Sequence, residues 1–178
     1  MTQVLSQRSN RKALFTPNDA PSGGTCLSTF LIVSKGKEIL VGKMQNPEIW
    51  MDRFFVGEKF APVYASSGKY VLPASHLSWY ESPLDAAYRV ATEQALLSPE
   101  KRNFRLVDAQ SHVREDPKDP EGAHWDICFV YDLPFSGGTN LKTPEWFQEL
   151  RFVDKAQLKP SDFTRGHGDV LEEAGIIK

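Results

Sequence analysis

The sequence SPLD at residues 82–85 is the feature that most constrains the fold, because it predicts where a helix begins. Serine is a favourable N-cap, proline is tolerated at the first helical position, and an acidic residue in the first turn complements the helix dipole. The helix is expected to run to about Leu97, because Pro99 disfavours its continuation. Its inward-facing stripe, read from apolar residues at helical spacing, is predicted to contain Leu84, Ala87, Ala91 and Ala95.

Apolar runs on both sides of this helix predict strands. The runs CLSTFLIV (26–33) and EILVGKM (38–44) flank turn-forming residues, which indicates a β-hairpin. Further strands are predicted at 70–73, 104–113, 125–133 and 149–153, and loops at 74–81 and 114–124. A helical turn is predicted at 154–158 and a C-terminal helix at 170–175. Strands and helices in this order predict an α+β domain with a mixed sheet and helices layered on it.

Two segments differ from this pattern. Residues 1–24 are polar, with Pro and Gly near their end, and predict a flexible N-terminal arm before a domain that spans 25–178. Residues 45–68 have no clear period and predict an aromatic-rich insertion that folds back on the domain. Its aromatic residues are Trp50, Phe54, Phe55, Phe60 and Tyr64, of which the first four either pack against the body or stack on a base.

Charge and composition exclude several classes of protein. The formal net charge is −2 and the Lys and Arg residues are scattered, which argues against a non-specific binder of nucleic acid. The sequence contains no apolar run of membrane-spanning length and no signal-peptide core, so a cytoplasmic protein is expected. Cys26 and Cys128 lie in apolar runs far apart in sequence, so they are expected to be buried thiols. Their spacing and a reducing compartment do not suggest a disulfide.

The segment 72–97, LPASHLSWYESPLDAAYRVATEQALL, resembles the Nudix box. That box is the loop-helix-loop signature of hydrolases that cleave a nucleoside diphosphate linked to another moiety. Its pattern is Gly, five residues, Glu, seven residues, then Arg-Glu-aliphatic-any-Glu-Glu-any-Gly-aliphatic. With Ser75 in the place of the first Gly, the matching residues are Glu81, Arg89 and Glu93. The resemblance therefore implies a Nudix-like α/β/α sandwich.

The departures from the pattern fall on the residues that the family uses for metal binding. Val90 stands where the family has the Glu after the Arg, and Gln94 stands at the second Glu of the pair. Ser75 and Leu96 replace the two Gly residues. Positions 90, 93 and 94 are spaced so that their side chains converge on one helix face, where three carboxylates would form an oxygen cage for Mg²⁺. The resemblance therefore implies weak binding of Mg²⁺ or Mn²⁺ here.

The resemblance also assigns expected roles to single residues. Catalytic roles fall on Glu93, Glu81 and Arg89, with Glu93 as the remaining metal ligand. In the family, the equivalents of Glu81 and Arg89 usually pair and pin the loop onto the helix. The expected ligand-binding residues are Ser75, His76 and Gln94. Carboxylates that could replace the missing metal ligands are Glu115, Asp116, Asp119, Glu121, Glu145 and Glu149.

Three functions remain open from the sequence. The first is a degenerate Nudix domain that binds a nucleotide or another phosphorylated ligand with weak or no hydrolysis. The second is an active Mg²⁺-dependent pyrophosphohydrolase with metal ligands outside the box. The third is a scaffold or assembly subunit, with a protein or RNA partner or a homodimer. Restoring carboxylates at Val90 and Gln94 is expected to restore Mg²⁺ binding under the first hypothesis.

Overall fold

The computed structural model describes residues 24–54, 56, 58, 60–116, 119–138, 141–164 and 166–178, and the side chains at 114–124 are outside this description. The predicted N-terminal arm therefore lies outside the described residues, apart from Gly24.

The described residues form a six-stranded sheet in the order β4-β5-β1-β2-β6, with β3 paired to β1. The strands are β1 (Thr25–Lys35), β2 (Glu38–Met44), β3 (Ala74–His76), β4 (Arg105–Asp116), β5 (Asp119–Pro134) and β6 (Phe147–Asp154). The β1–β2, β1–β3 and β2–β6 pairs are antiparallel. The predicted hairpin is confirmed, with Lys35 opposite Glu38 and Gly36 in the left-handed region at φ 60°.

Two hydrophobic clusters bury the two faces of the sheet. Alternate residues of β1 point to opposite faces, as a strand requires: Leu31 and Val33 join one cluster, whereas Phe30 and Ile32 join the other. The first cluster contains residues of helices α1 (Pro47–Phe54) and α3 (Pro83–Arg89), and the second contains residues of α4 (His167–Glu173). The helices therefore cover both faces, which confirms the predicted α+β sandwich.

The aromatic segment 45–68 forms two short helices, α1 and α2 (Ala61–Ser67). Trp50 and Phe54 are buried, and the indole Nε1 of Trp50 donates a hydrogen bond of 2.7 Å to the Trp146 carbonyl. This contact confirms that the segment packs back on the body. Phe60 is half-exposed against Tyr64, and Phe55 lies outside the described residues.

Two predicted loops are wrong in part. A strand was expected at 70–73 and a loop at 74–81, but Tyr70 and Val71 form isolated bridges and the strand β3 follows them. The strand was not predicted because Ser75 and His76 are polar. Its pairing with β1 depends on backbone hydrogen bonds rather than on an apolar pattern. The loop expected at 114–124 is largely strand, since β4 runs to Asp116 and β5 begins at Asp119.

The chain separates into two compact units. The larger unit comprises residues 27–110 and 128–178 and contains both hydrophobic clusters. Of the smaller unit, the structure describes residues 24–26, 111–116 and 119–127. There the backbone N–H of Trp125 donates to the Gly24 carbonyl at 3.0 Å and its indole N–H donates to Ser111 Oγ at 2.7 Å.

Helices of the described residues are all too short or too polar to cross a membrane. The remaining predicted helices are present as a 3₁₀ turn at Lys155–Gln157 and as α4, and further 3₁₀ turns lie at Lys101–Asn103 and Pro160–Asp162.

Candidate functional site

The helix that carries the site begins where the sequence predicts it. Ser82 is the N-cap with extended backbone angles, and its Oγ accepts a hydrogen bond of 3.1 Å from the Asp85 N–H. Asp85, in the first turn of the helix, forms an ion pair with Lys101 of the 3₁₀ turn at Lys101–Asn103. The Ser82 contact satisfies one of the N–H donors that a helix start leaves unpaired, so the residues 82–85 determine where α3 begins.

The second half of this helix is wider than an α-helix. Residues Val90–Gln94 form a π-helical segment, in which the Ala95 N–H reaches back to the Val90 carbonyl at 3.3 Å. The helix then ends at Leu96, which adopts the left-handed φ of 52°. The Leu97 N–H donates to the Ala91 carbonyl at 2.9 Å, which closes the turn. Leu96 therefore keeps the terminal conformation for which the family pattern has Gly.

The loop before the helix is held by Arg89 and Glu81. Arg89 donates two hydrogen bonds of 2.8 Å to the two oxygens of the Glu81 carboxylate. It also donates to Ser75 Oγ at 3.2 Å and to the His76 carbonyl at 2.9 Å. The Glu81 carboxylate accepts a third bond, of 2.8 Å, from the Ser78 N–H. This clamp confirms the expected pairing of Glu81 with Arg89, whereas their catalytic roles stay predictions.

Burial makes the clamp electrostatically strong. The side chains of Glu81 and Arg89 are 13% and 20% exposed. Hydrogen bonds from Arg89 hold the pKa of the Glu81 carboxyl below its ordinary value of 4.5, against the opposing effect of partial burial. The same bonds raise the pKa of Arg89, with a smaller contribution from the charge of Glu93. The clamp is therefore fully charged at neutral pH.

The clamp predicts a pH dependence of stability. A carboxyl whose pKa is lowered by folding stabilises the protein above its unfolded pKa, and this contribution is lost as the pH falls through the folded value. Glu81→Gln is therefore expected to lower the free energy of unfolding by about 1–2 kcal/mol at pH 7 and to have little effect under strongly acidic conditions. Urea unfolding of both proteins across this range measures the difference. An unchanged difference at acidic pH would contradict the assignment.

The face expected to carry the metal cage is mostly buried. Val90 is 0% exposed inside the first hydrophobic cluster, and Gln94 is 1% exposed. Glu93, in contrast, faces solvent. Of the three positions, Glu93 alone is therefore exposed to solvent. Gln94 lies three residues after Ala91, within the π-helical segment. It therefore continues the inward-facing stripe of the helix.

The amide of Gln94 holds strand β3 by hydrogen bonds to its backbone. Its Nε2 donates to the Ala74 carbonyl at 2.7 Å, and its Oε1 accepts from the Ala74 N–H at 3.1 Å. The Gln94 carbonyl accepts a hydrogen bond of 3.0 Å from the Trp146 indole. The amide of Gln94 is therefore engaged within the protein, and the role of Gln94 in ligand binding stays a prediction.

The described side chains do not fit a Mg²⁺ cage. Among them, no three His, Cys, Asp or Glu residues converge on a point where a metal ion could bind. Glu149, a predicted substitute ligand, forms ion pairs with Lys43 and Arg151, and Glu145 is exposed. The side chains of the other candidates, Glu115, Asp116, Asp119 and Glu121, lie outside the described part of the chain.

The remaining predicted ligand-binding residues belong to the clamped loop. Ser75 is buried and accepts from Arg89, and His76 presents an exposed side chain while its carbonyl also accepts from Arg89. Sequence reasoning overlooked the two aromatic residues of this loop, Trp79 and Tyr80, which are 87% and 95% exposed. Their position in a turn directly before the N-cap was the available signal.

Comparison with known proteins finds no matching family model and no matching curated protein by sequence. Solved structures do match. The MutT/nudix family protein of Enterococcus faecalis has a TM-score of 0.50 at 13% identity, and the match covers 85% of this chain and 50% of that one. This chain thus spans half the length of that protein.

Two further structures match over most of both chains. The dihydroneopterin triphosphate pyrophosphohydrolase of E. coli has a TM-score of 0.56 at 9% identity, with 83% of this chain and 92% of that one covered. The NUDIX domain of Shewanella oneidensis NrtR, solved as a complex with ADP ribose, has a TM-score of 0.55 at 12% identity, with 98% and 96% covered. At such low identity the likeness concerns the fold.

Proposed function

We propose that this chain, which has the fold of the Nudix proteins, binds a nucleotide or another phosphorylated ligand without hydrolysing it at an enzymatic rate. The observation that carries the proposal is Gln94, whose amide is buried and committed to the backbone of Ala74. The one oxygen of this side chain is buried and already accepts a hydrogen bond, and a neutral amide adds no charge to a metal site. Together with the apolar Val90, it leaves Glu93 as the one carboxylate among the three positions.

The chemistry of the family explains why this loss matters. Mg²⁺ sheds its water reluctantly and is held by carboxylates and substrate phosphates, and the bound metal supplies charge stabilisation and an activated water. One exposed carboxylate does not provide such a cage. The clamp between Glu81 and Arg89, in contrast, is intact and keeps the loop 75–81 ordered. An ordered loop without a metal cage supports binding rather than turnover.

The choice of ligand class rests on the fold. The NUDIX domain of the NrtR protein, which matches nearly all of this chain, was solved with ADP ribose. We therefore infer that a nucleoside-containing phosphate ester is the ligand class, and the protein and RNA partners and the homodimer considered above stay predictions.

Hydrolysis assays test the catalytic half of the proposal. A panel of nucleoside diphosphate derivatives with Mg²⁺ or Mn²⁺ is expected to give turnover far below the range of about 1–1,000 per second that is typical of enzymes. Turnover at about 1 per second or more that is abolished in Glu93→Gln would contradict the proposal and favour an active hydrolase with further metal ligands. Turnover that Glu93→Gln leaves unchanged would indicate a contaminating enzyme or another site.

Calorimetric titration tests the binding half. ADP-ribose is expected to bind the wild-type protein in the presence of EDTA, since no metal bridge is required. Arg89→Met, which releases the loop, is expected to weaken this binding about tenfold or more. Binding that requires Mg²⁺, or absence of binding to the folded protein, would contradict the proposal.

A further inference from the structure

The loop before the helix contains a rigid turn at residues 78–81. The Glu81 N–H donates to the Ser78 carbonyl at 3.0 Å, and the Ser78 N–H donates to the Glu81 carboxylate at 2.8 Å. Just before it, the Leu77 N–H donates to the Leu27 carbonyl at 2.9 Å, which ties the loop to β1. Since Arg89 holds the same carboxylate, the turn is fixed at both ends.

The third residue of this turn has a conformation that its side chain disfavours. Tyr80 has a φ of 63°, in the left-handed region that Gly and Asn adopt far more readily than Tyr. Strained residues of this kind persist where the surrounding structure holds them, and they often belong to functional sites. A Gly would suit the backbone better, so the turn holds the Tyr80 side chain in place against the preference of its backbone.

The turn presents two aromatic rings to solvent. Trp79 and Tyr80 are the two most exposed large apolar side chains among the described residues, at 87% and 95%. Their ring centroids are 5.4 Å apart and the ring planes meet at 74°, so the rings form a corner. A flat ring that stacks on one of them meets the other edge-on, and both arrangements are favourable between aromatic rings.

The size and charge of this corner restrict its occupant. Two aromatic side chains offer roughly 300–500 Å², whereas a stable protein–protein interface buries about 1,000 Å² or more. Arg89 is the one Lys or Arg residue between positions 72 and 100, and it is engaged by Glu81. The segment therefore lacks the free cations with which polyanionic nucleic acid or an anionic membrane is bound. A single uncharged, planar ring is small enough for this contact area and needs no cation to bind it.

We propose that Trp79 and Tyr80 bind the base of the nucleoside-containing ligand, with the base stacked on one ring and in edge contact with the other. This inference rests on the proposed function for the ligand class. It adds a binding site at the exposed end of the clamped loop, and it makes the clamp a device that positions the two rings. Base stacking on exposed aromatic side chains tolerates different bases, so little discrimination between purines is expected.

The test compares ligands that contain the base, the phosphate or both. Adenosine, ADP-ribose and ribose 5-phosphate are titrated against the full chain and followed by ligand NMR. Trp79→Leu is expected to weaken adenosine and ADP-ribose about tenfold, in the range found for loss of one stacked base, and to leave ribose 5-phosphate unchanged. Tyr80→Asn is expected to weaken the same two ligands while folding at least as stably, because Asn tolerates the left-handed conformation. Leu106→Ala, an exposed apolar residue on β4, serves as the control without effect.

Each outcome has a defined meaning. Adenosine binding that is unchanged in Trp79→Leu, or undetectable with the wild-type protein at millimolar concentration, would overturn the inference. Retained binding of ADP-ribose by the same variants would then leave the proposed function standing. Conversely, Trp79-dependent binding of adenosine without any contribution from the phosphates would support the corner and contradict the proposed ligand class.

Discussion

Val90→Glu/Gln94→Glu is expected to lose about 5 kcal/mol of stability, a large part of the total for an ordinary domain. Both side chains are buried, at 0% and 1% exposure, so the change places two carboxylates in or beside the hydrophobic cluster. A carboxylate at position 94 accepts from the Ala74 N–H but cannot donate to the Ala74 carbonyl. The variant therefore loses a hydrogen bond and gains two uncompensated charges.

Chemical denaturation of the double variant measures this loss, and titration with Mg²⁺ is performed on the same samples. The sequence alone suggests that the two carboxylates would restore metal binding, whereas the burial of both positions predicts unfolding instead. Glu93→Gln, at an exposed neighbouring position, is the matched control and is expected to change stability by less than about 0.5 kcal/mol. A double variant with wild-type stability and tight Mg²⁺ binding would show that the helix turns outward and that the account of Gln94 is wrong.

Arg89→Met is expected to be the second most damaging change, with a loss of about 3 kcal/mol at neutral pH. It removes both bonds to Glu81 together with those to Ser75 and the His76 carbonyl. It also leaves the Glu81 carboxylate, 13% exposed, without its cation. Arg89→Lys is expected to recover only part of this loss, because an ammonium group cannot reproduce the planar two-bond contact.

The matched control for this prediction is the pair between Lys101 and Asp85. Its side chains are 52% and 48% exposed, and exposed ion pairs contribute little. Lys101→Met is therefore expected to change the free energy of unfolding far less than Arg89→Met does. Equal losses in Arg89→Met and Lys101→Met, measured by urea unfolding, would show that the clamp has no special role in holding the loop.

The sequence predicted the parts of the fold that depend on local signals. The start of α3 follows from the capping properties of Ser82 and Pro83, and the β1–β2 hairpin follows from two apolar runs around Gly36. The pairing of Glu81 with Arg89 was implied by the resemblance to the Nudix box. Each of these features is determined by residues that lie close together in sequence, so their positions could be read without knowledge of the tertiary packing.

Features set by tertiary contacts were missed. Strand β3 is polar and exists because β1 lies beside it, and Gln94 is buried because Ala74 of that strand satisfies its amide. A glutamine on a helix is usually exposed, so its burial could not be predicted from the residue type. The left-handed φ of Tyr80 was equally invisible, since a turn of this kind normally signals itself through Gly or Asn.

The π-helical segment at Val90–Gln94 also bears on how such a helix is compared with its relatives. An uninterrupted α-helix closes each turn on the fourth residue, whereas here the Ala95 N–H closes on the fifth, at Val90. Residues after this point are rotated about the helix axis relative to an ideal helix. Where a relative's helix is uninterrupted over these residues, a letter-by-letter alignment therefore pairs positions after Val90 that differ in angular phase.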